Sequence, residues 1–253
     1  MESKLRRYIR HGMFRVPGWL HPVDASAYAA VLLYQPAQQL SGGLAEIGVY
    51  FGRSFFLMGQ ALSAGEKALA ADLFESGPVA DGASLQLRRF RSDAERFGIP
   101  FELHIGPSER LTAHDILDAV GPVRFFSIDG GHMIEHIRND VALATAVLAP
   151  HGIIAFDDFC SPEWPETMVG VVDFLRGANG AYVPFAITQS KLYVCRTEFH
   201  TRYMAMLSGS HWMRRYRQRE ITFFGSPLVW YHHPIANRIA HHAVARAVSV
   251  LPW

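Results

Sequence analysis

The chain is short of cysteine, of net charge and of long apolar stretches. Its two cysteines, Cys160 and Cys195, are too few for a disulfide framework or a four-ligand zinc site. No apolar run approaches the ~18–20 residues needed to cross a bilayer. The opening residues, MESKLRRYIRHGMFRV, are basic but carry neither the apolar run nor the small-residue cleavage site of a secretion signal. A cytoplasmic protein with no transmembrane segment is expected. Internal repeats and low-complexity linkers are also missing. The formal net charge of +1 gives no ground for a nucleic-acid partner.

What is present is ordinary globular composition, with 49% hydrophobic and 19% charged residues in 253. That excludes a disordered chain, a collagen-like repeat or a coiled coil. A chain of this length buries enough surface to hold a core without covalent staples. The neutrality is uneven. Residues 1–199 hold 17 Lys and Arg against 22 Asp and Glu, whereas residues 200–253 hold seven Arg against one Glu and six of the 13 histidines.

Periodicity divides the chain into three parts. Residues 1–40 are predicted as an N-terminal helical cap: one helix ending near Pro17-Gly18, another over 24–40 with Asp24 or Ser26 as N-cap and a break at Pro36. Residues 41–199 alternate short apolar runs with helical stretches. Strands are expected at 44–50, 67–74, 100–106, 123–130, 152–159 and across 182–196. Helices are expected after the first strand and at 84–98, 108–120, 136–150 and 168–176. Residues 200–253 are expected to form a basic, His-rich helical extension. Strands alternating with helices predict an α/β fold, a mostly parallel doubly wound sheet with helices on both faces. Acids and glycines recur at the carboxyl ends of the strands, where open parallel sheets bind ligands.

The first strand runs into Glu46-Ile-Gly48-Val-Tyr50-Phe-Gly52-Arg-Ser54 and then a helix. The spacing is not the G-x-G-x-x-G of dinucleotide binding. Two glycines let backbone approach a ligand closely, although a tight strand–helix turn alone would also use them. Glu46 would repel a pyrophosphate but suits a cationic amine, which favours S-adenosylmethionine over a dinucleotide. Asp72 closes the second strand, where an acid bonds ribose hydroxyls in nucleotide-type sites. Ser108 either touches the adenine or caps a helix. Tyr50 faces the same cleft.

The densest chemistry is Asp129-Gly-Gly-His132 followed by Asp157-Asp158. Neighbouring parallel strands end side by side, so three carboxylates are expected to meet. Unpaired carboxylates repel in a low-dielectric cleft, and a hard cation such as Mg²⁺ relieves this with oxygen ligands. His132, aimed past a Gly-Gly turn, is placed to take a proton. Glu135 and Asp140 are expected to be solvated, and Cys160 to be a small core residue. Trp164 in the Pro-Glu-Trp-Pro turn either walls a substrate or belongs to the core.

These motifs together resemble class I S-adenosylmethionine-dependent methyltransferases over about residues 40–196. More narrowly, they are similar to the metal-dependent O-methyltransferases. Glu46, Gly48, Gly52 and Ser54 match the first motif, Asp72 the ribose acid, and Asp129, Asp157 and Asp158 the metal ligands of catechol-type enzymes. Those enzymes carry lysine where this chain has His132. The D-G-x-H form with a following acid pair is more similar to macrolide-sugar O-methyltransferases and the cephalosporin-hydroxylase-like group. The resemblance implies a Rossmann-like, seven-stranded sheet. It also implies S-adenosylmethionine and Mg²⁺ as cofactors, with Glu46, Gly48, Tyr50, Gly52, Ser54, Asp72, Ser108 and Asp129 around the former. Asp129 and His132 would be catalytic, with His132 as the base acting on a hydroxyl of a sugar or secondary-metabolite acceptor. A homo-oligomer is expected. The rival expectations are a cephalosporin-hydroxylase-like protein or other metal chemistry on the same fold, and a non-catalytic cofactor-binding assembly module. A nicotinamide dehydrogenase is disfavoured by Glu46 and the glycine spacing.

Overall fold

The computed structural model describes residues 1–232. The chain opens with a short helix, α1 (Glu2–Arg7), continued by a π-helical turn and a 3₁₀ turn to Arg15. Helix α2 (Pro22–Ala37) begins on Pro22, whose missing N–H costs nothing in the first turn. Asp24 is not its cap. It is fully buried within the first turn, and accepts a hydrogen bond from the Gln189 N–H at 3.1 Å. Pro36 falls in the last turn, so it ends the helix rather than bending it.

The α/β alternation follows as β1 (Gly43–Ile47), α3 (Arg53–Gly59) and β2 (Ala68–Asp72). A small hairpin, β3 (Val79–Ala80) with β4 (Ala83–Ser84), leads into α4 (Leu85–Phe97). Ser84 caps α4 by accepting the Leu87 N–H, and Gly98 stops it at φ +63°, a conformation costly for other residues. Next come β5 (Phe101–Ile105), α5 (Ala113–Val120), β6 (Val123–Ile128) and α6 (Ile134–Val147). The cap of α5 is Thr112, in a reciprocal box with Asp115, and Ser108 opens a separate 3₁₀ turn. Strand β7 (Leu148–Phe156) starts earlier than expected, because Pro150 sits at an irregularity in the β6–β7 register instead of closing α6. The chain continues through α7 (Pro165–Gly177), β8 (Tyr182–Ile187), β9 (Leu192–Arg196) and α8 (His200–Gly209).

The last described elements correct the expected helical extension. Residues 217–232 form β10 (Arg217–Phe223) and β11 (Ser226–His232), a hairpin that joins the main sheet beside β8. Its two-residue turn, Phe224-Gly225, has φ +52° and +74°, the type that matches strand twist. The expected seven-stranded sheet therefore has nine strands among the described residues, in the order β10-β11-β8-β9-β7-β6-β1-β2-β5. The expectation for residues 233–253 lies outside the described residues.

Strands β7, β6, β1, β2 and β5 run parallel, and β9 is antiparallel to both of its neighbours. Two apolar cores cover the sheet, one including α2, α3, α4 and α8, the other α5, α6 and α7. The order reverses between β1 and β6, so the loops after β1, β2, β6 and β7 converge at one edge. That is the switch point where such sheets form a crevice. No helix among the described residues is long and apolar enough to cross a membrane.

Candidate active site

A cavity of about 720 Å³ opens at this edge, within the range of small-molecule sites. One half is built by the β1 and β2 loops. Gly48 lies on its wall at φ +82°, and a Cβ there would stand 1.8 Å from the Asp129 carbonyl oxygen, so only glycine fits. Asp72 also lines the cavity. Its Oδ2 accepts the Tyr50 N–H at 2.8 Å, and its Oδ1 accepts the Phe74 N–H at 2.8 Å and the Gln86 amide at 3.0 Å. A carboxylate has about four acceptor positions, so one remains for a ligand hydroxyl. Tyr50 forms the next stretch of wall, and the indole of Trp19 stacks on it at 5.4 Å.

Three of the expected cofactor residues stand behind the wall. Gly52 faces the Phe56 and Phe90 rings and serves packing. Glu46 is fully buried, accepts the Ser127 hydroxyl at 3.0 Å and has the Ser54 hydroxyl as a further partner. Burial pushes its carboxyl up to about 7, with those hydroxyls opposing the shift. Ser108 lies on the wall, but its hydroxyl donates to Asp140 Oδ1 at 2.6 Å. Asp140, expected to be solvated, is buried for that purpose, whereas Glu135 is exposed. Cys160 is at the surface rather than in the core.

The other half of the cavity holds the acids. Strands β6 and β7 pair Ile128 with Phe156, so Asp129 and Asp157 leave them side by side. Burial and the adjacent Asp157 carboxylate push Asp129 well above the usual carboxylate range. Burial acts on Asp157 in the same direction, but the Lys191 ammonium and hydrogen bonds from Asp129, Lys191 and Ser190 outweigh it and hold Asp157 low. Asp158, at φ +51°, turns toward His132, whose Nε2 is 3.1 Å from Asp158 Oδ2. The imidazole stacks on Trp164 at 4.2 Å and 13°. Trp19 and Trp164 are 75% and 45% exposed, so two large aromatic faces at the cavity are left uncovered. Among the described residues, Asp129, His132 and Asp158 bring ligand atoms within 4.8 Å of one another. Asp157 is not part of that group.

Sequence reasoning missed Lys191, Ser190, Trp19 and His21. Lys191 looks like an ordinary turn lysine between two strands. Trp19 stands in the Gly-Trp-Leu-His-Pro entry to α2, and the only hint was an aromatic at a helix entry.

A parallel sheet with its crevice at the β1/β6 switch point, a glycine-floored β1 loop and an acid ending β2 give this chain the fold of the class I methyltransferases. A family model described as a methyltransferase domain matches residues 45–159. Among solved structures, the chain is similar to the O-methyltransferase NovP, at 15% identity over 69% of this chain and 79% of that one, with a TM-score of 0.57. It is similar to CalS11, a TDP-rhamnose 3′-O-methyltransferase of calicheamicin biosynthesis, at 14% identity over 77% and 92%, with a TM-score of 0.55. An O-methyltransferase from Bacillus cereus in complex with SAH matches at 16% identity over 76% and 89%, with a TM-score of 0.52. At these identities the likeness concerns the fold. No curated protein matches the chain.

Proposed function

We propose that this protein transfers a methyl group from S-adenosylmethionine to a hydroxyl of a sugar or secondary-metabolite acceptor. The observation that carries the reading is that one cavity joins Gly48, Tyr50 and Asp72 to His132, Asp158 and the two exposed indoles. The cofactor supplies a methyl group on a sulfonium centre, open to in-line attack. The chain's own residues divide the remaining work. Asp72 holds ribose hydroxyls through its spare acceptor position. The Gly48 backbone forms the floor under the cofactor. Trp19 and Trp164 offer flat faces to a ring, which suits the sugar chemistry named for CalS11. The N-terminal cap, residues 1–40, thereby supplies part of the acceptor wall.

His132 is the proton acceptor in this reading. Asp158 takes the Nε2–H, which leaves Nδ1 as the basic nitrogen. Stacking on Trp164 fixes the ring plane. Pre-set orientation of this kind is a major source of rate in group transfer.

The Mg²⁺ site expected from three carboxylates does not fit the arrangement. Asp157 is committed to Lys191 and Ser190, and the donors left are two carboxylates and an imidazole. Mg²⁺ prefers oxygen ligands, and a cation on His132 would remove the base. No step is assigned to a metal.

The test is methyl transfer from labelled S-adenosylmethionine to a panel of hydroxylated sugars and natural products. His132→Ala should lower turnover by roughly 10²–10⁴-fold with cofactor binding retained. Undiminished turnover removes His132 from the chemistry, and no transfer to any acceptor beside intact cofactor binding favours a binding module.

A further inference from the structure

Asp157 Oδ2 lies 2.6 Å from Lys191 Nζ. The lysine side chain is 1% exposed and the aspartate 10%, so the pair is nearly out of water. On its other oxygen, Oδ1, Asp157 accepts the Ser190 hydroxyl at 2.6 Å. The turn carrying Ser190 and Lys191 is not free to swing away. Thr188 N–H donates to Lys191 O at 2.9 Å across the β8–β9 connection. Gln189 N–H binds Asp24 of α2 at 3.1 Å, and Ser190 Oγ lies 3.2 Å from the same carboxylate. Asp24 is itself fully buried. Lys191 Nζ also lies 5.6 Å from the centre of the Tyr28 ring.

Three carboxylates at adjacent strand ends need a positive charge near them. Here that charge is already covalently present. A divalent ion sharing Asp157 would sit beside a buried ammonium that cannot leave, and the two would repel in a low-dielectric pocket. Removing either member of a buried ion pair leaves the other uncompensated, so the lysine cannot be displaced cheaply.

We propose that Lys191 is the resident cation of this site: its ammonium takes the place that the family resemblance gives to a divalent metal. Lys191 is then a positioning residue. It holds Asp157 fixed and offsets its negative charge, and leaves His132 and Asp158 free to handle the proton. The metal claim concerns binding alone. Only its activity arm rests on the methyltransferase reading.

The experiment titrates Mn²⁺ into the metal-free full chain, followed by electron paramagnetic resonance and calorimetry. Wild type should show no binding below millimolar Mn²⁺, and EDTA should leave methyl transfer unchanged. Lys191→Met, which frees Asp157 to join Asp129 and Asp158, should raise Mn²⁺ affinity at least about tenfold. Lys191→Arg should behave as wild type. Stoichiometric micromolar Mn²⁺ binding by wild type overturns the proposal, whichever acid it requires. So does a folded Lys191→Met protein with no gain in affinity. Should Lys191→Met not fold, the wild-type titration decides. A wild-type chain that fails to bind S-adenosylhomocysteine sinks the methyltransferase reading and leaves the Mn²⁺ result standing.

Discussion

Two buried ion pairs sit at opposite ends of the same sheet. At the amino end of β6, Arg124 is fully buried, and its guanidinium contacts both Glu66 oxygens at 3.1 and 2.8 Å, Gln35 Oε1 at 2.9 Å and the Ala61 carbonyl at 2.9 Å. Glu66 in turn accepts the Gly42 and Ser63 N–H groups. At the carboxyl end, Lys191 presents three protons and has a single close carboxylate, that of Asp157, on the edge of the cavity. The first pair is saturated and does not line the cavity. It ties α2, the α3–β2 connection and β6 together. The second is sparsely bonded and borders the chemistry. The difference separates a charge pair that holds a fold from one that conditions a site.

The largest effect should come from breaking the saturated pair. Arg124→Met leaves Glu66 buried without its cation and should cost about 3–5 kcal/mol in urea unfolding. Cofactor affinity of the molecules that remain folded should not change.

A lone buried acid between the two ends gives a pH-dependent counterpart. Glu46 is raised to about 7 by burial, so the folded state favours its protonated form. Its contribution is fully present below the ordinary glutamate range and is lost as pH rises through 7. Glu46→Gln, which mimics the protonated carboxyl, should match wild-type stability near pH 5 and exceed it by roughly 3 kcal/mol near pH 8. Equal stability at both values would show that the carboxylate is solvated.

The smallest of the three effects should be that of Asp157→Asn, about 2 kcal/mol. Its side chain reaches the cavity, and the Asp129 and Asp24 carboxyls still act on the Lys191 ammonium when that of Asp157 is gone. A loss as large as that of Arg124→Met would erase the distinction between the two pairs.

Much of the site could be read from the sequence because its signals are local. Gly48, Asp72, Asp129 and Asp158 each stand at the end of an apolar run, and a strand end fixes where a side chain emerges. The helix expected over 84–98 ends on Gly98 for the same reason. What escaped depends on distant partners. Asp24 has the pattern of an N-cap but bonds a turn 165 residues away. Asp157 looks like its neighbour Asp158, and only Lys191, between two late strands, tells them apart. The β10–β11 hairpin was hidden by arginines and aromatics that suggested a helix. Its readable signal was Gly225 in a two-residue turn between alternating stretches, and the preceding phenylalanine obscured it. The surplus of basic residues in the tail is partly explained by packing on α2. Arg202 bonds Tyr34 and Gln38, and Arg215 bonds Ser26.

The most direct measurement is calorimetric titration of S-adenosylhomocysteine into the wild-type chain and Asp72→Ala. One site per chain is expected, weakened roughly ten- to a hundredfold in the variant through loss of a charged hydrogen-bond acceptor. Absence of binding to wild type, or equal affinity in both proteins, would contradict the assignment of this cleft to S-adenosylmethionine.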